Sequence, residues 1–125
     1  MDAARYHRRR LKEPAVTLKN HAAAASAGAV AANAVPHLAH AVMRQPFPTP
    51  FADPPGRADS SPRLNAVWAG MNLATAALLV ATRRRRLGRP SFWLVAGVSG
   101  VAAAFGLEVY FRSLDHHVIP QRSSP

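Results

Sequence analysis

The chain has no cysteine, which excludes disulfides and thiolate metal sites. Acidic residues are scarce. Six Asp and Glu stand against sixteen Lys and Arg, for a formal net charge of +10, which suits an anionic partner. Catalytic signatures are missing too. There is no Gly-rich phosphate loop, no HExxH, no paired-carboxylate motif and no Ser/His/Asp order. Strand periodicity is absent from the long apolar stretches. On these grounds no cofactor and no metal are expected, and an enzyme is disfavoured. With 125 residues the chain has room for one domain at most.

What is present is segregated. The mean hydropathy of −0.06 averages two kinds of sequence. Five Arg lie within Arg83–Arg89 and six Lys or Arg within Arg5–Lys19. Around them run three apolar spans: 21–43, 66–82 and 92–111. The first has 23 residues. A helix of that length reaches roughly 34 Å, enough for a hydrocarbon core of about 30 Å, although alanine is only marginally apolar. The second is at the short limit for crossing, and the third carries Glu108 as its only charge. A soluble Ala-rich bundle is the rival interpretation. Its helices would need a regularly charged face, which the second and third spans lack. Trp68, Phe92, Trp93, Tyr110 and Phe111 stand near span ends, where amphipathic rings settle at a lipid–water boundary. The expected fold is therefore all-α: a three-helix transmembrane bundle.

The charges assign a direction. Arg8, Arg9 and Arg10 precede the first span, and Arg83, Arg84, Arg85 and Arg86 fill the link between the second and third. Three crossings put both segments on one side, and the positive-inside rule makes that side the cytoplasm. The segments then read as a basic cytoplasmic stretch 1–20, helix 21–43, an exported loop 44–65, helix 66–82, a cytoplasmic link 83–91, helix 92–111 and an exported disordered tail 112–125. The seven arginines are expected to contact anionic lipid headgroups. Nucleic acid is not expected, because no recognition motif accompanies the charge. A basic stretch followed by an Ala-rich run with Ala32-Asn33-Ala34 also fits a cleaved signal peptide, and that alternative stays open.

The exported loop carries the densest punctuation. Gln45–Asn65 holds six prolines, which fix φ and remove backbone donors. An ordered, pre-stiffened cap over the bundle follows, with Phe47, Phe51 and Asp53 as its interaction surface. Ser60 or Ser61 is placed to cap the next helix, with Pro62 in its first turn. Residues 33–73 resemble an uncharacterised family of small bacterial integral membrane proteins. The shared pattern is Asn33, Pro36-His37, Phe47–Ala52, Pro54-Pro55-Gly56, Ser60-Ser61 and Asn65 through Leu73, with Ala69 between Trp68 and Gly70 as a departure. The resemblance implies a protein of the bacterial inner membrane and implies no activity.

The orientation gathers Asn33, His37, His40, Asn65, Asn72 and Glu108 in the outer leaflet, beneath the loop. Intramembrane ionisable groups are functional candidates. This cluster fits three uses: tying helices together by hydrogen bonds, serving a small oligomeric carrier or channel, or serving a membrane enzyme. A divalent metal on His37, His40 and Glu108 is a weaker alternative. Glu108 is also spaced to pair with Arg112. Ala96, Gly100 and Ala104, with Ala25 and Ala29, make small-residue stripes for close helix approach, either within the chain or in a homo-oligomer. The best-supported role is a non-catalytic accessory or structural membrane component, with the bilayer, a second copy or a larger membrane partner as its contacts.

Overall fold

The computed structural model describes the backbone of residues 3–115 and the side chains of residues 3, 4 and 17–114. The side chains of Arg8, Arg9 and Arg10, and the expected tail from residue 116 on, lie outside the described residues. The fold is all-α. Helix α1 spans Ala3–Val42, α2 spans Pro62–Ala81 and α3 spans Pro90–Asp115. A 3-10 turn at Arg84–Arg86 sits between α2 and α3. Two short strands, β1 (Phe47–Pro48) and β2 (Asp59–Ser60), pair antiparallel within the α1–α2 loop.

Sequence explains where the helices stop. α1 ends in a Schellman turn: Gln45 N–H donates to His40 O, Arg44 N–H to Ala41 O, and Arg44 takes φ 56°. An arginine there occupies the left-handed position that usually falls to glycine. α2 begins as its sequence suggests. Ser61 is the N-cap, its Oγ accepting the Leu64 N–H at 3.3 Å, and Pro62 follows at the first helical position. α2 thus starts ahead of the apolar span that announced it. α3 likewise outruns its span, since Arg112–Asp115 are helical, with Arg112 paired to Glu108 at 2.6 Å. At the other end of the chain α1 runs unbroken through the basic stretch into the Ala-rich span.

α2 and α3 each pack along α1 and have little contact with each other, so the Ala-rich helix is the central one. Small side chains make that possible. Ala23, Ala24, Ala27 and Ala34 of α1 are buried, with Ala69 and Ala76 of α2. α1 and α3 cross at Gly28, where an added Cβ would overlap the Ala96 carbonyl, and a Cβ on Gly100 would stand 3.2 Å from Gly28 O. Ser99 Oγ donates across the same crossing to Ala25 O at 2.7 Å. Ala25, Ala96 and Gly100, singled out for their size, thus serve contact within the chain.

Large apolar side chains point the other way. Leu64, Val67, Met71, Leu73 and Leu78 of α2 are exposed, as are Trp93, Leu94, Val98, Val101, Phe105 and Val109 of α3. Among the described residues two helices are long and apolar enough to cross a membrane, Pro62–Ala81 and Pro90–Leu114. α1 does not join them on hydropathy, because Asn33, Pro36, His37 and His40 interrupt its alanines.

Candidate functional site

The α1–α2 loop folds around Thr49, which is fully buried. Its Oγ1 shares a 2.5 Å hydrogen bond with Ser60 Oγ and accepts the Phe51 N–H at 3.2 Å. Its carbonyl accepts from Ala52 N–H and Gly56 N–H. Gly56 turns the chain with φ 71°, a conformation that favours glycine. The Asp53–Pro54 peptide is cis. The prolines remove donors on one side of this turn while Thr49 supplies acceptors on the other, so few backbone groups go unmet.

Asn65, in the first turns of α2, fastens this cap to the helices. It is fully buried. Its Nδ2 donates to Phe47 O at 3.0 Å, and to Ser60 O and Ser61 O at 3.2 Å each. Those carbonyls fix the amide orientation, which turns Oδ1 toward His37 Nδ1 at 2.8 Å. An amide oxygen only accepts, so His37 carries its proton on Nδ1. One side chain thereby joins α1, β1, β2 and α2.

The remaining polar residues are used in pairs. Asn33 Nδ2 donates to Asn72 Oδ1 at 3.1 Å, joining α1 to α2 about two turns below Asn65. Asn72 Nδ2 in turn donates to Trp68 O within its own helix. His40 Nδ1 donates to Pro36 O at 2.8 Å. Glu108 stands apart from both histidines, exposed and engaged with Arg112. It edges a groove of about 420 Å³ between α1 and α3, lined by Ala32, Val35, Phe47, Leu107 and Phe111. Among the described residues no three of His, Cys, Asp and Glu come close enough to hold a metal ion, so the His37–His40–Glu108 alternative has no geometry behind it.

The three loop residues named as a surface divide. Phe47 turns inward. Its ring stacks on His40 at 4.0 Å and meets Phe111 at 4.5 Å and His37 at 5.2 Å. Phe51 is exposed at one edge and packs on Trp68 at 5.5 Å. Asp53 is exposed. Tyr110 Oη donates to Gly56 O at 2.9 Å, which ties the far side of the cap to α3. Sequence reasoning had Asn65 in the outer leaflet with Asn72 but missed its role as hub, and it missed Thr49 and the tie that Tyr110 makes to the cap. Thr49 does carry a signal, as the one polar side chain in Pro46-Phe47-Pro48-Thr49-Pro50-Phe51.

Arg84, Arg85 and Arg86 form the 3-10 turn at the opposite end of the molecule. Arg83 Nε is buried without a hydrogen-bond partner among the described residues. No protein-family model matches the chain, and neither a curated protein nor a solved structure matches it.

Proposed function

We propose that the chain is a small multi-pass protein of the bacterial inner membrane, with its N-terminus cytoplasmic and its loop exported. It serves as a non-catalytic accessory or structural component, and the loop, through Phe51 and Asp53, is its outward interaction surface. One observation carries the membrane reading. Only 6% of the apolar window of α3, and 22% of that of α2, is buried. A soluble core helix buries its apolar side chains, whereas here the small residues are inside and the large ones outside. Lipid resolves that inversion, because helix association in a bilayer rests on close packing of small residues.

The third crossing is α1. Flanked by α2 and α3, it turns Val35, Leu38 and Val42 outward. The basic link and the loop stand at opposite ends of α2, whose 20 residues are about 30 Å long. That separation suits the positive-inside assignment, with Arg83–Arg86 against anionic headgroups. The non-catalytic reading rests on how the polar groups are spent. His37, Asn65, Asn33, Asn72 and His40 bond one another or the backbone. Such pairing ties helices and cap together, and favours neither a proton relay nor a polar pore.

Expression followed by alkaline washing of the membranes tests this. The protein is expected to stay with the pelleted bilayer and to require detergent for extraction. A monodisperse protein in buffer without detergent would refute it.

A further inference from the structure

At the basic end, α1, the α2–α3 link and the start of α3 enclose a cavity of about 60 Å³. Asn20, His21, Arg86, Arg89, Ser91 and Phe92 line it. A volume of roughly 10–15 Å³ on this measure holds one water, so the space suits a group of four or five heavy atoms. Asn20 is 8% exposed, and its carboxamide takes no hydrogen-bond partner among the described residues. Nor is it sealed, since among the described residues the buried side-chain atom with neither partner nor access is Arg83 Nε. The Asn20 amide therefore keeps its open hydrogen-bonding capacity toward the cavity.

Charge agrees with this. Arg86 and Arg89 have no ion-pair partner among the described residues, and the described carboxylates, Asp53, Asp59 and Glu108, belong to the loop end. α3 opens with Pro90 and Ser91 and has no acidic residue in its first turn, so its positive end lacks an anion. Two guanidiniums, an unsatisfied amide and a helix N-terminus converge on a space of oxyanion size. We propose that this cavity binds a phosphate group, with Arg86 and Arg89 supplying charge, and Asn20 and Ser91 supplying hydrogen bonds. The site stands without the membrane reading. Only the identity of the phosphate's carrier, a phosphomonoester lipid headgroup or a free phosphate, rests on it.

The test uses the full chain in zwitterionic detergent, titrated with inorganic phosphate against chloride at equal ionic strength. In parallel the chain is reconstituted with phosphatidic acid or with phosphatidylcholine, and binding is followed by ³¹P resonance. Asn20→Ala and Arg89→Gln are each expected to weaken binding by about tenfold, the scale of one charge-assisted hydrogen bond. Arg63→Gln, exposed at the loop end of α2, is expected to change it by less than about twofold, as screened surface charge does. Circular dichroism checks that the variants keep their helices. Saturation by inorganic phosphate alone identifies a free-phosphate site, and a response to phosphatidic acid alone identifies a headgroup site. Equal losses in Arg63→Gln and Arg89→Gln would reduce the site to diffuse charge and overturn the proposal, as would no binding in either arm.

Discussion

Gly28→Ala is expected to destabilise the bundle by about 1–3 kcal/mol, the usual cost of overpacking a tight contact. The sign makes the test sharp. In a helix interior, Gly→Ala ordinarily stabilises by about 1 kcal/mol. At Gly28 the new methyl would run into the Ala96 carbonyl, and backbone has no rotamer by which to yield. α3 must therefore back away from α1, which also lengthens the Ser99–Ala25 hydrogen bond. Gly97→Ala is the control, since nothing lies within 4 Å of a Cβ there, and it should be neutral or stabilising. Gly100→Ala falls between, its Cβ 3.2 Å from Gly28 O. Unfolding titrations in mixed micelles, read by circular dichroism, rank the three. Gly28→Ala as stable as Gly97→Ala would remove the close crossing.

Asn65→Ala is expected to undock the cap at a cost of about 2–3 kcal/mol, since each stranded buried polar group costs about 1–3 kcal/mol. The change deprives Phe47 O and Ser60 O of a donor and leaves the buried His37 Nδ1–H without its acceptor. Trypsin cleavage after Arg57 reports the loop directly. It should quicken in Asn65→Ala by about tenfold, because local opening governs proteolysis of a folded segment. Asn65→Asp separates the two halves of the hub. A carboxylate still accepts from His37 but donates to no carbonyl, so the cap should loosen even with that bond kept. Unchanged cleavage in both variants would show that the prolines hold the loop without Asn65.

How far the sequence foretold this depends on the kind of signal each residue carries. Apolar run lengths marked all three helices, and local rules placed the Ser61 cap, Pro62 and the Glu108–Arg112 pair. Such interactions reach at most one turn and so can be read along the chain. The centrality of α1 was not legible. Alanine scores weakly on hydropathy, and its value here, thinness, depends on what packs against it. Gly28 went unnoticed between Ala25 and Ala29 for the same reason. In the polar cluster, helical spacing put His37 and Asn65 at one level, but it carried no information about rotation. α3 faces its small residues to α1 and thereby swings Glu108 outward, away from the histidines. Phe47 read as part of the loop's interaction surface because it lies among the prolines of an exported loop. Pairing of its strand with Ser60 and the bond from Asn65 to its carbonyl turn the ring inward instead. Asn20 was hidden by a boundary drawn at residue 21, where charge ends but the helix does not.

The absence of cysteine makes topology directly measurable. Single cysteines at Arg85 and at Ala58, labelled in intact cells and in inverted vesicles with a membrane-impermeant maleimide, report the two ends of α2. The account predicts that Arg85→Cys reacts only in inverted vesicles and Ala58→Cys only in intact cells. Reaction of both from the same side would mean that α2 does not cross, and lipid would then not be what covers its bare apolar face.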